Sequence, residues 1–254
     1  MSDQSPTAIL IIHGAYFLPS SWQPLINGLS HSQFTIRCPR LPSCGDERPP
    51  KATLDDDVAA VRTAAKELIN AGHNILVLAH SYGGIVASEA ITEELYPNSN
   101  RKGIVSLVLL SAWLIQPGDT LEDVIKKYGF QCEVELGNNG DGTVFAKNAP
   151  SSFYNDIDPV VAWELAKENV THNWFAASGK ITRAPWKDIP TLYVFCLRDL
   201  AIMVPLQRSM VQDAVDAGGD ARFVTEEIDS GHCPFVSRPE EVVRVVEKAL
   251  RGLE

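Results

Sequence analysis

Three residues of this chain could together carry out one reaction: Ser81, Asp199 and His232. A serine hydroxyl is a weak nucleophile near neutral pH and needs an adjacent base. An imidazole can take its proton and later deliver it to a leaving alcohol. A carboxylate behind the imidazole fixes the tautomer and stabilises the cation that forms. Position sets these three apart from the other serines, aspartates and histidines, because each follows a short strand-like run. Ser81 follows Ile75-Leu76-Val77-Leu78-Ala79-His80, Asp199 follows Thr191 to Leu197, and His232 follows Ala221 to Ile228 across the short loop Asp229-Ser230-Gly231.

The elements that must position these groups are legible around them. After Ser81 come Gly83, Gly84 and a helix-like stretch, Ile85 to Ile91. A serine on so sharp a strand-to-helix turn has its hydroxyl pushed out of the sheet, and the residues two before and two after must be small. Ala79 and Gly83 meet that need, with Ala79 in place of the first glycine of G-x-S-x-G. Further strands are read at Ala8 to Ile12, Phe34 to Cys38 and Ile104 to Leu110, and the all-apolar runs among them predict burial on both faces of a parallel sheet. Ser20 or Ser21 is expected to cap a short helix, and residues 39–50 read as a loop. Thr53 and Asp56 form a capping pattern for a helix whose stripe is Leu54, Val58, Val61, Ala65 and Leu68 and whose stop is Gly72. A helix from Pro205 to Gly218 and a last one capped by Ser237 and Glu240 complete the alternation. The expected fold class is α/β: a doubly wound, mostly parallel sheet built from residues 1–114 and 187–254, with a mainly helical lid inserted at 115–186.

Composition bounds the function. The chain has 254 residues, 45% hydrophobic, and a formal net charge of -10. With no run of Lys or Arg, nucleic acid and anionic membrane surfaces are disfavoured as partners. No signal-like start or membrane-spanning run is read, and the five cysteines are odd in number and scattered, so a reduced, cytoplasmic protein is expected. No metal cluster, phosphate loop or dinucleotide fingerprint appears, and no cofactor is expected.

In open α/β sheets, functional groups collect at the carboxyl ends of strands. His13-Gly14-Ala15-Tyr16, Ser81, Asp199 and His232 all stand there, in the chain order nucleophile, acid, histidine. On these residues the chain resembles the α/β-hydrolase superfamily over nearly its whole length. More narrowly it is similar to the branch of methylesterases and hydroxynitrile lyases. Phe153-Tyr154-Asn155-Asp156 also resembles a recurrent lid segment of such hydrolases. Charge building on a substrate carbonyl needs preorganised donors, and the backbone N–H groups of Ala15 and Tyr82 are the expected pair. Asp119 and Asp229 compete with Asp199 for the acid, but the strand exit favours Asp199. His80 is read as structural, and His31, His73 and His172 as solvated or structural.

The resemblance implies an esterase. Hydroxynitrile lyases of this branch carry threonine where Gly14 stands and lysine where Cys233 stands. The expected activity is therefore hydrolysis of a small, neutral, apolar or aromatic carboxylic ester or lactone through an acyl-serine. A lyase or cyclase using the same groups, or a hydrolase-fold ligand receptor, is the alternative. Nine of the chain's twenty aromatic residues fall within residues 115–186, which fits a lid over an apolar pocket as well as a small core of its own. Tyr16, Trp113, Phe153, Trp163, Trp174 and Phe175 are the candidate substrate contacts. The sequence leaves the oligomeric state open.

Overall fold

The structure, a computed structural model, describes residues 7–30, 34–45, 47–129, 132–219 and 223–252. The amino-terminal stretch, His31, Phe130 and the expected start of the last strand at Ala221 lie outside them. In chain order the principal elements are β1 (Thr7–Ile12), α1 (Gln23–Ser30), β2 (Thr35–Arg37), α2 (Leu54–Asn70), β3 (Asn74–His80), α3 (Gly83–Ala90) and β4 (Ile104–Leu110). Then follow α4 (Leu121–Tyr128), β5 (Leu136–Asn138), β6 (Thr143–Ala146), α5 (Ala149–Ser152), α6 (Pro159–Ala166) and β7 (His172–Asn173). The chain closes with β8 (Thr191–Cys196), α7 (Val204–Ala214), β9 (Phe223–Ile228), α8 (Pro234–Ser237) and α9 (Pro239–Arg251).

Six strands form one sheet in the order β2-β1-β3-β4-β8-β9, and every pair in it is parallel. Parallel neighbours need helical crossovers, which cover both faces, so the strands have no solvated side. Accordingly Ala8 to Ile12, Ile75 to His80 and Thr191 to Cys196 are buried without interruption. The two edge strands depart from this: β2 has no buried residue, and β9 has one, Ile228. The register aligns the strand exits. Ile12 pairs with Ala79, His80 with Leu110, Leu110 with Val194 and Cys196 with Ile228. Residues 13–16, 81–82, 111–113, 199 and 232 therefore leave the sheet along one edge.

The helix reading at Thr53 matches the structure. The Asp56 carboxylate accepts the Thr53 N–H at 2.7 Å and its hydroxyl at 2.9 Å, and Gly72 takes a φ of 88° just past the helix end. Two cap expectations fail. Ser20 and Ser21 lie inside a 3-10 turn, Pro19–Trp22, capped from Leu18. Ser237 does not cap α9, because Pro234 starts α8 one turn earlier and Ser237 ends it; its hydroxyl is buried with no hydrogen-bond partner among the described residues, and α9 starts on Pro239. Within residues 115–186, the helices are joined by a feature that the sequence pattern did not reveal: a three-stranded antiparallel sheet, β5-β6-β7. Among the described residues, no helix is long and apolar enough to cross a membrane.

The turn after β3 depends on close backbone approach. A Cβ added at Gly83 would sit 2.2 Å from the Ile12 carbonyl oxygen, and one at Gly14 would sit 2.9 Å from Ser81 Cβ. Neither neighbour is a flexible side-chain end. Gly83→Ala should therefore cost about 3 kcal/mol of unfolding free energy, the upper range for overpacking. Urea titration checks this, and a loss under about 1 kcal/mol would mean that the turn has slack.

Candidate active site

Ser81 has a φ of 52°, a left-handed conformation that costs a non-glycine residue of order 1–3 kcal/mol. The surroundings hold it there. Its carbonyl accepts from Gly84 N–H and from Trp113 N–H, both at 3.0 Å, tying the turn to α3 and to the β4 exit. Its side chain lines a cavity of about 290 Å³. The backbone N–H groups of Ala15 and Tyr82 make no backbone hydrogen bond among the described residues, and both residues line the same cavity.

His232, also in the cavity wall, has its Nδ1 2.8 Å from Asp199 Oδ2. The carboxylate is buried and heavily solvated by protein donors. Oδ1 accepts from Ala201 N–H at 2.6 Å and Ile202 N–H at 2.9 Å, and Oδ2 accepts from Gln207 Nε2 at 3.3 Å and from the Ser111 hydroxyl. Groups from the exits of β4, β8 and β9 thus converge on one carboxylate with helix α7. Asp119, the competitor, lies in a loop where its own backbone bonds Gln116 and Ile181. Asp229 pairs instead with Arg198 at 2.8 Å. On the other side of His232, His80 Nε2 is 2.8 Å from the His232 carbonyl oxygen and the two rings lie 4.5 Å apart. Phe153 packs on the His232 ring at 5.5 Å. The segment that follows also clasps the histidine loop, since a Cβ at Gly231 would meet Asn155 Oδ1 at 2.2 Å.

The remaining cavity wall is mostly apolar: Leu121, Ile125, Val134, Leu136, Ala201 and Ile202. Of the six expected substrate contacts, Tyr16, Trp113, Phe153 and Trp174 line it. Trp163 and Phe175 do not, and that expectation is corrected. Trp163 is 63% exposed, because α6 buries its Ala162 face and turns Trp163 outward. Phe175 is 71% exposed. In the 3-10 turn Trp174–Ser178, residues three apart eclipse, so Trp174 and Ala177 share the cavity side and Phe175 points away.

Four residues of the site were not singled out from sequence. Ser111 and Gln207 complete the Asp199 shell. His172 is buried in the cavity wall rather than solvated. Asp57 is fully buried under Tyr82, accepting the Tyr82 hydroxyl at 2.7 Å, the Ser43 hydroxyl at 2.5 Å and the Ser43 N–H at 2.9 Å. A signal for Asp57 existed. It stands three residues after Leu54 and four before Val61, on the stripe read as buried.

The model of the Alpha/beta hydrolase family matches residues 9–245. The chain belongs to the alpha/beta hydrolase family. It is 29% identical over 252 residues to Alpha/beta hydrolase nvfD of Aspergillus novofumigatus, covering 95% of this chain and 96% of that one. Among solved structures, polyneuridine aldehyde esterase superposes with a TM-score of 0.74 at 20% identity, over 96% of this chain and 98% of that one. Methylesterase MES16 from Arabidopsis superposes with a TM-score of 0.74 at 19% identity, over 96% and 99%. These two likenesses show the fold.

Burial holds three histidines of this region neutral. It lowers the pKa of His13 to about 4 and of His172 to about 3, and pushes His80 well below 6.5. In the unfolded chain each would titrate near 6.5. Unfolding between about pH 4 and 6.5 must then take up protons, so stability is full above pH 6.5 and falls as pH drops toward 4. Asp57 acts with the opposite sign, since burial raises its carboxyl pKa despite three donors. Unfolding at pH 5 should take up a net of about two to three protons, measured in weakly buffered urea jumps, and His172→Phe should reduce the uptake by about one. A urea midpoint equal at pH 7 and pH 5 would refute the assignment.

Proposed function

We propose that this hydrolase cleaves a small, neutral carboxylic ester or lactone through an acyl-serine formed on Ser81. The observation that carries this reading is the buried His232–Asp199 pair, at 2.8 Å, in the wall of the cavity that the strained Ser81 turn enters. The Ser81 hydroxyl makes no hydrogen bond among the described residues. In this reading it meets His232 as the substrate seats, since such contacts tighten on engagement. His232 takes the serine proton as Ser81 Oγ attacks the carbonyl carbon. The N–H groups of Ala15 and Tyr82 receive the oxyanion, each donor being worth about 3–4 kcal/mol in such sites. Collapse expels the alcohol, which takes the proton from His232. Water then repeats the sequence to release the acid and restore Ser81. Asp199, held by four protein donors, accepts the His232 Nδ1–H and fixes the orientation of the ring. Residues 115–186 act as a lid, supplying Leu121, Ile125, Val134, Leu136, Phe153 and Trp174 to the wall and excluding water.

The apolar wall is what favours a neutral, apolar or aromatic substrate, and glycine at 14 with cysteine at 233, where hydroxynitrile lyases of the resembling branch carry threonine and lysine, favours ester chemistry over cyanohydrin cleavage. A fluorophosphonate should label Ser81, read by peptide mass spectrometry, and Ser81→Ala should abolish the label in a folded protein. Labelling elsewhere would overturn the nucleophile. Asp199→Asn should lower kcat by about 10⁴, whereas Asp119→Asn should stay within a few-fold of the parent. For the lid, Trp174→Ala should change kcat/KM for bulky esters far more than for acetates, and Phe175→Ala should change neither. Equal effects of the two alanines would remove the basis for the apolar-substrate assignment.

A further inference from the structure

The exit of β4 is bonded to both Ser81 and Asp199. Trp113 N–H donates to the Ser81 carbonyl at 3.0 Å, and two residues earlier the Ser111 hydroxyl donates to Asp199 Oδ2. Between them the Ala112 carbonyl accepts the Tyr193 hydroxyl at 2.8 Å, which pins the segment to β8. Ser111 N–H holds the same strand through the Val194 carbonyl at 3.0 Å. Three consecutive residues thus span the distance from the Ser81 turn to Asp199 without passing through His232.

The bonds to Asp199 divide by origin. Oδ1 takes the N–H groups of Ala201 and Ile202, and Oδ2 takes Gln207 Nε2, all from the segment that Asp199 itself begins. Those donors would travel with the carboxylate if the segment shifted. Apart from His232, Ser111 is the one partner among the described residues that comes from another part of the sheet. Its backbone has a φ of 42°, in the left-handed region where glycine is at ease and a side chain is not. Strained residues of this kind persist where the surroundings over-determine them, and they cluster at functional sites. Ser111 is fully buried, so contact with solvent does not account for a serine there. Its hydroxyl has one proton to give, and that proton goes to Asp199.

We propose that Ser111 is a positioning residue: its hydroxyl holds Asp199 Oδ2 against His232 Nδ1, and the segment 111–113 sets the acid at a fixed distance from Ser81. The inference rests on the esterase reading for the reaction, and on the Ser111 geometry for the role. It separates two properties that a purely structural serine would keep together. Glycine at this position removes the hydroxyl and relieves the backbone, whereas alanine removes the hydroxyl and keeps the strain. Catalysis should follow the hydroxyl, and stability should follow the backbone.

The test compares Ser111→Ala and Ser111→Gly with the parent enzyme, using p-nitrophenyl acetate as the probe. Both variants should lose kcat by about tenfold to a hundredfold, the worth of one hydrogen bond to a charged group, with KM little changed. Their urea midpoints should separate, Ser111→Gly lying above Ser111→Ala, because alanine retains the positive φ. If Ser111→Ala does not fold, Ser111→Gly alone carries the kinetic comparison. Parental kcat in Ser111→Gly would mean that the hydroxyl is dispensable, and would overturn the proposal. A second readout needs no substrate. The ¹H resonance of His232 Nδ1–H, on a ring that is 2% exposed, should move upfield in both variants as the carboxylate withdraws from the imidazole. Turnover equal to the parent's with that resonance unmoved overturns the positioning role and leaves the esterase reading intact. An upfield shift in both variants, with no ester hydrolysed by the parent, supports the positioning role and sinks the esterase reading.

Discussion

The site depends on a backbone conformation that the chain would not adopt unaided. Ser81 sits at positive φ between β3 and α3, and two neighbouring strands hold it there. The Ile12 carbonyl presses against the hydrogen atoms of Gly83, and Trp113 N–H bonds the Ser81 carbonyl at 3.0 Å. Among the described residues, two other non-glycine residues share this conformation, Tyr16 and Ser111, and they stand at the exits of the two strands that flank β3. Strain is thus concentrated on one edge of the sheet, and the rigid parallel core beneath it over-determines the geometry. A softer scaffold would let the turn relax and withdraw the serine hydroxyl.

Behind that edge lies an unusually polar interior for a core of this kind. His13, His80 and His232 are all buried, with Asp57 and Asp199 on either side of Ser81. Each is tied to a different segment. His13 Nε2 accepts from Leu41 N–H at 3.1 Å and so holds the loop after β2. His80 meets the backbone of the β9 exit loop. Asp57 joins α2 to Tyr82. Asp199 joins the exits of β4 and β9 to α7. A polar network that is nearly complete specifies one arrangement of loops, because any other leaves buried donors unpaired. The same contacts make the loops around the cavity part of the fold rather than attachments to it.

The fold was legible because its main signal is coarse. Uninterrupted apolar runs such as Ile75 to Ala79 occur where a strand is covered on both faces, and the alternation of such runs with striped helices leaves few topologies open. That Ser81, Asp199 and His232 gather at one edge of the sheet was legible for the same reason, since each follows a strand. What stayed hidden were facts of side-chain direction. Trp163 and Phe175 looked like pocket residues by type, but helical and 3-10 phase turned them to solvent. For His172 the sequence kept solvated and structural roles open, because the short strand that buries it has two residues and no periodicity. Asp57 shares the phase of the buried stripe of α2, and that phase went unused. Ser237 had the spacing of a cap, and Pro234 pre-empted it by starting a turn early.

The chain order separates two sets of residues. Those around Ser81, His232 and Asp199 come from both ends of the sequence, whereas the apolar wall from Leu121 to Ala177 comes from one uninterrupted stretch. A single exchange of contiguous coding sequence between relatives could therefore replace most of the wall while leaving every strand of the central sheet untouched. Point changes in the scattered set must each be compatible with a packed, hydrogen-bonded core. The two sets are exposed to inheritance on different terms: one can be recombined as a block, the other only preserved.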